Sequence, residues 1–215
     1  MNRRQLLATV GATAAFAGAA GRVFAAPGSA ADLTALFDAF VKEGLDRQPE
    51  GVTSLGLDVG PRAAQKSQLT DRSQAAVKAN QALTQDQLRR LEAFDAGALT
   101  AADALNRDVV LYGLWQQVAN ARRFEYAGGG AGAPYALNQL SGVYHDVPDF
   151  LDSQHAIETR ADADAYLARL EAFGTAVDQD SEQARVDQAL GVVPPDFVLG
   201  KTLVQLQAFR ATPAE

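Results

Sequence analysis

The sequence predicts an all-α fold, a multi-helix array of antiparallel amphipathic helices, and three observations carry that expectation. Apolar residues recur at helical spacing in one segment after another. Hydroxyl residues stand three positions before an acid or amide at several segment starts, the spacing of a capping box. No run shows the strict alternation of apolar and polar residues that marks a strand, and no repeat of solenoid period is present.

The first helix is expected from Asp32, where Leu33, Leu36, Phe37, Phe40, Val41 and Leu45 form one apolar stripe. Gly44 and Pro49 stand where the pattern fades, and residues 51–61, glycine-bearing and without period, read as a connection. Three helical patterns follow, over 73–83, 85–94 and 101–122, with Thr84 and Gln87 opening the second and Thr100 and Asp103 the third. In the third, Leu105, Val109, Tyr112 and Trp115 lie along one side with Val110, Leu114 and Val118 beside them. So wide an apolar face places this helix at the centre and Trp115 in the core.

Residues 128–134 then break regular structure. A phosphate-binding loop would need a preceding strand and a following helix, and its P-loop form a Lys before Ser or Thr, so the run reads as a flexible connection. Residues 135–158 read as irregular. Thr159 and Asp162 start a long helix that runs to Leu190 and ends at Gly191, with Tyr166, Leu167, Leu170, Phe173 and Val177 as its buried stripe. Pro194 and Pro195 open the last helix, with Pro at its first position and Val198, Leu203, Leu206 and Phe209 as its apolar face.

Composition narrows the function classes. Of 215 residues, 47% are hydrophobic and 21% charged, the proportions of an ordinary globular chain and unlike those of a disordered one. Cys is absent, which excludes disulfides, thiolate nucleophiles and Cys-based metal sites. A formal net charge of -7 argues against a nucleic-acid partner, because phosphate affinity comes from clustered Lys and Arg.

Residues 1–25 carry Arg3-Arg4 ahead of a weakly hydrophobic stretch of Ala and Gly, then Arg22 and Val23-Phe24-Ala25, the pattern of a cleavable signal peptide of twin-arginine type. Leu6 stands where that signal often has Phe, and the stretch is too short and too rich in Gly and Ala to span a bilayer well. Cleavage after Ala25 removes three Arg and no acid, so residues 26–215 carry a formal charge of -10. The expectation is a periplasmic or secreted protein with no stable membrane anchor.

Candidate chemistry is sparse. The two His, His145 and His155, are separated by ten positions that include Asp146, Asp149, Asp152 and Pro148, a spacing that prescribes no shared ligand geometry. They read as solvated loop residues and a helix cap. Asp178, Asp180 and Glu182 alternate like the start of a calcium loop, but Gln183 and Ala189 occupy the positions needing Gly and Glu, so they read as a solvated acidic face. Ser141 and Ser153 lack the context of a nucleophile elbow. No catalytic, cofactor-binding or metal-ligating residue is assigned.

Several segments taken in order resemble one family: Pro49-Glu50-Gly51-Val52-Thr53-Ser54-Leu55-Gly56-Leu57; Leu91 to Asp95 with Asp103-Ala104-Leu105-Asn106-Arg107-Asp108; Asn138-Gln139-Leu140-Ser141-Gly142 with Pro148-Asp149-Phe150-Leu151; Asp162 to Leu170; and Gly191 to Val198. Together they resemble the amino-terminal part of the bacterial family called domain of unknown function 885, whose members are exported or cytoplasmic helical proteins that resemble zinc metallopeptidases of the thermolysin-like superfamily. The resemblance implies a zinc site of His-Glu-x-x-His type in a later, carboxy-terminal region. No His-Glu dipeptide occurs in these 215 residues, so zinc is expected only in a full-length relative and this chain reads as an incomplete part of the larger fold, inactive alone. By analogy with such peptidases, residues 138–150 line a substrate channel for peptides, with Asn138, Gln139, Tyr144 and His145 as candidates; equally, Asn138 and Gln139 satisfy backbone groups at a turn. The rival to an inactive portion is a complete small helical module that binds a peptide or partner protein. Uncovered helix faces around Leu203, Leu206 and Phe209 would favour self-association.

Overall fold

A computed structural model describes residues 28–126 and 134–210, and in these every regular element is helical, as the periodicity predicts. The elements are α1 (Ala30–Leu45), α2 (Pro49–Ser54), a 3-10 helix (Gly60–Ser67), α3 (Gln74–Glu92), α4 (Ala101–Arg123), α5 (Val143–Ser153), α6 (Arg160–Ala189) and α7 (Asp196–Phe209). The signal-like segment and residues 128–133 of the glycine run lie outside the described residues. Among the described residues no helix is long and apolar enough to cross a membrane.

Two apolar clusters form. Leu33 of α1, Leu88 and Leu91 of α3, and Leu114 and Val118 of α4 make the first, with Phe37, Phe40 and Phe94 packed around them. Val143, Val147, Phe150 and Leu151 of α5 close on Ala176 of α6 in the second, with Leu69, Tyr166 and Phe173 beside them. Each fully buried Leu or Val of this kind contributes about 1.5–3 kcal/mol relative to an exposed one. Helix α3 is the strut between the clusters. Its last turns are tied to α1 by Arg90, whose Nη2 lies 2.6 Å from Glu43 Oε2 and whose guanidinium stacks 4.8 Å from the Phe40 ring. Its first turn is tied to α6 by an amide hydrogen bond from Gln74 to Gln183.

Local signals decide the helix starts that they can reach. Thr159 accepts from the Asp162 amide at 3.2 Å while Asp162 accepts from the Thr159 amide at 2.8 Å, the reciprocal box expected at the head of α6. Thr100 likewise accepts from the Asp103 amide at 3.2 Å. Gly191, at φ 78°, follows the end of α6 as expected.

Several expectations are corrected. Patterns 73–83 and 85–94 fuse into the single α3, capped by Ser73. Thr84 sits mid-helix, where its hydroxyl donates to the Asn80 carbonyl at 3.0 Å instead of capping a new start. The stretch 51–61 is not a plain connection: α2 runs to Ser54 and buries Val52 completely, and the 3-10 helix opens at Gly60. Residues 135–158 contain α5, which supplies most of the second cluster. Pro148 lies inside it and removes only the one amide that would have bonded back to Tyr144. Pro195 stands at the N-cap of α7, one position earlier than expected.

The largest correction concerns α4. Leu114 and Val118 are buried, whereas Leu105, Val109, Tyr112 and Trp115 are 53–64% exposed, so Trp115 is not in the core. The face is as wide as the sequence implies, but α3 and α1 cover only one side of it. Val41, Leu167 and Leu203 are also exposed, and Thr202 takes a buried place on α7.

The one-helix character of α3 has a measurable consequence. Thr84→Ala leaves stability unchanged or raises it by a few tenths of a kcal/mol, since Ala is the better interior residue, while Thr159→Ala costs about 1 kcal/mol as a lost cap. Urea unfolding of both variants distinguishes this from a break at Thr84, which would give both the same loss.

Candidate functional site

The polar heart of the structure is Arg169 on α6, fully buried. Nε donates to the Gln68 carbonyl at 2.9 Å, and Nη2 to Thr53 Oγ1 at 2.8 Å and the Gln65 carbonyl at 3.1 Å. Nη1 lies 2.7 Å from His155 Nδ1. A guanidinium can only donate, so His155 accepts at Nδ1 and uses its Nε2–H for the Asp162 carbonyl, 3.0 Å away. The imidazole is thereby neutral, and its edge meets the Tyr166 ring at 5.4 Å. The face of the guanidinium lies 4.8 Å from the Phe150 ring. Burial lowers the Arg169 pKa, opposed by the fields of Glu50 and Asp58.

Next to this hub, Asp162 accepts from the Thr159 and Glu158 amides and from Lys66 of the 3-10 helix. Lys66 first, and then Thr159, hold its carboxyl far below the usual carboxylate range. His155, expected to be solvated, is thus a buried bridge between the hub and the head of α6. Among the described residues no group of three or more His, Asp or Glu is placed to hold a metal ion.

A cleft of about 590 Å³ opens beside the hub, sharing Phe150 with it and walled by α2, α3, α5 and α6. Gln48, Glu50, Thr70, Asp71, Arg72, Asn80, Asp146, Asp180 and Gln183 supply its polar lining, and Val147 and Phe150 part of its apolar lining. Glu50 clamps Thr70, accepting from its amide at 3.0 Å and its hydroxyl at 2.5 Å. Asp180 accepts from the Val143 amide at 2.7 Å, so the N-terminus of α5 is capped from α6 and not by its own sequence. Burial pushes the Asp180 carboxyl up, against the pull of the Val143 amide and Arg72. The preceding Gly142 sits at φ 120°, and a Cβ there would lie 2.9 Å from Leu137 Cβ.

Among the described residues Arg72 is the only cation lining the cleft. Nη1 lies 3.7 Å from Asp180 Oδ1 and Nη2 3.9 Å from Asp146 Oδ2, both too long for hydrogen bonds. Its Nε is buried with no acceptor among the described residues. The cleft therefore offers unspent guanidinium donors inside a predominantly acidic wall.

The four candidates from the sequence come together elsewhere. Asn138 closes a turn with Ser141, its amide donating to the Ser141 carbonyl at 2.9 Å and its side chain to Ser141 Oγ at 2.7 Å. Gln139 accepts at its carbonyl from Gln205 of α7 at 3.3 Å. Tyr144 is buried with its hydroxyl 2.8 Å from both the Asn138 carbonyl and Gln205 Oε1, and burial raises its pKa. His145 is exposed, with Nδ1 3.2 Å from Asp146 Oδ1. None of the four lines the cleft, but their segment reaches it through Asp146, Val147 and Phe150.

Sequence reasoning missed Arg72, Asp180 and Arg169. Asp180 was expected on a solvated face, yet it is buried, while its neighbours Asp178 and Glu182 are exposed. A signal was present: positions 162, 166, 169, 173, 176 and 180 trace one helical row, and its polar members Asp162, Arg169 and Asp180 are buried along with Ala176. Arg72, on the link before α3, left no such trace.

The helical array and its polar cleft define an all-α protein, with no element of a nucleotide-binding α/β fold among the described residues. The model of the family described as "Bacterial protein of unknown function (DUF885)" matches residues 49–215, and the chain belongs to that family. No curated protein and no solved structure matches it.

Two outcomes follow from the hub. Arg169→Met loses about 3–5 kcal/mol in urea unfolding, because the Gln65 and Gln68 carbonyls, Thr53 and His155 are left without their donor, at about 1–3 kcal/mol for each group that finds no other partner; a loss below about 1 kcal/mol contradicts the hub. A depressed carboxyl contributes stability that is complete above its unfolded value of about 4 and is lost as pH falls. The thermal midpoint therefore drops as pH falls from about 5 to about 2, and Asp162→Asn makes that drop smaller; an equal drop in the variant overturns the assignment.

Proposed function

We propose that this chain is the exported helical amino-terminal portion of a zinc-metallopeptidase-like protein and that it contributes a peptide-contacting wall and no catalytic group. The carrying observation is the cleft: Asp146, Val147 and Phe150, within the segment that the family resemblance sets along a substrate channel, line it beside Arg72 and Asp180. Guanidinium donors without close partners suit the carbonyls or carboxylate of a peptide, and the surrounding acids favour peptides with basic side chains. Zinc, in this reading, is held by polypeptide that carries the His-Glu-x-x-His helix, a motif not found in these residues. Arg3-Arg4 and the Ala- and Gly-rich stretch after them support export to the periplasm by the twin-arginine route.

The second reading, a helical module that binds a partner protein, is favoured by the exposed apolar side chains of α4 and α7.

A panel of fluorogenic peptides, incubated with the purified chain and zinc, with and without a chelator, tests the first. The expected result is no chelator-sensitive hydrolysis, together with binding of Lys- and Arg-containing peptides that Arg72→Ala weakens about tenfold, or about 1.4 kcal/mol. Chelator-sensitive cleavage, or peptide binding indifferent to Arg72, overturns it.

A further inference from the structure

Helix α4 carries an apolar face that the rest of the described structure leaves uncovered. Leu105, Val109 and Tyr112 are each more than 60% exposed and Trp115 is 53% exposed. At 100° per residue these four fall within about 120° of arc together with Asp108, Gln116, Ala119 and Arg123. Tyr112 and Trp115 are already stacked, their ring centroids 6.4 Å apart. The charges on this face are divided by polarity: the acid, Asp108, lies toward the N-terminus and the base, Arg123, at the C-terminus.

We infer that α4 is a self-association surface, paired antiparallel with α4 of a second copy of this chain about a two-fold axis between Trp115 and Gln116. That register follows from the charges. It sets Asp108 opposite the partner's Arg123, twice by symmetry, and Tyr112 opposite the partner's Ala119, where a small residue admits the ring. Asp108 accepts from Arg107 at 3.0 Å and remains 66% exposed at its side chain, so it is open to a second donor. The antiparallel arrangement also opposes the two helix dipoles. A parallel pairing places Asp108 against Asp108 and Arg123 against Arg123, which like-charge repulsion disfavours. The face is therefore complementary to itself in one orientation, which selects a second copy as its occupant. The inference does not rest on the cleft or on the peptide reading.

The test uses the full chain. Sedimentation velocity over a micromolar concentration range is expected to show a monomer–dimer equilibrium, and the emission of Trp115, the single Trp, shifts to the blue as the dimer fills. Trp115→Glu abolishes the dimer while leaving the circular dichroism and thermal midpoint of the monomer unchanged. Asp108→Arg weakens association about tenfold, and combining it with Arg123→Asp restores it, because the exchanged charges again oppose each other. A chain that stays monomeric throughout, a dimer indifferent to Trp115→Glu, or a double exchange that fails to restore association each overturns the proposal. Loss of peptide binding by Arg72→Ala with an intact dimer separates this result from the fate of the cleft reading.

Discussion

A buried guanidinium is expensive unless its donors are met, and that requirement organises this protein. Arg169 is fully buried, and its partners come from four separate stretches: Thr53 of α2, Gln65 of the 3-10 helix, Gln68 of the following link and His155 before α6. None is a carboxylate, so the charge is met by carbonyl dipoles, a hydroxyl, a neutral imidazole and the face of Phe150. Short elements such as α2 and the 3-10 helix have little stability of their own. They hold their places because each presents an acceptor to the same side chain.

The hub also fixes the surroundings of the cleft. Pinning α2 and the 3-10 helix against α6 brings Glu50 to Thr70 and leads the chain past Arg72 into α3. On the far side, Asp180 of the same α6 caps α5 and so sets the depth at which Val147 and Phe150 lie. One long helix thus supplies a buried base for one neighbour and a buried acid for the other. The cleft between them inherits an acidic wall around Arg72, the one cation that lines it among the described residues, whose guanidinium has no hydrogen-bond acceptor there.

Much of this was legible residue by residue, and the failures have a common cause. The long α6 was readable because Thr159, Asp162 and Gly191 are local signals whose partners lie within a turn. Helix α5 was not, because its N-terminal cap is Asp180, 37 positions away, and its interior contains a Pro. At Thr84 a hydroxyl with an amide three positions on looked like a start, yet a mid-helix Thr can bond its own preceding turn equally well. For α4 the periodicity gave the right helix and a face wide enough for two neighbours, but nothing in spacing says which half of a wide face is covered.

By itself the sequence determined the all-α class, the bounds of α1, α4 and α6 to within a residue or two, the lack of any thiolate chemistry and the family signature, since each depends on periodicity, caps or composition within short reach along the chain. Tertiary structure alone decided which distant groups meet Arg169, His155 and Asp180 in the interior, that Arg72 faces a cleft while Asn138 and Tyr144 build a turn and its support, and that Trp115 stands outside the core. Those outcomes turn on which distant backbone acceptor or apolar face arrives opposite a side chain. Burial of a polar group is set by partners tens of residues away, and local sequence carries no record of them.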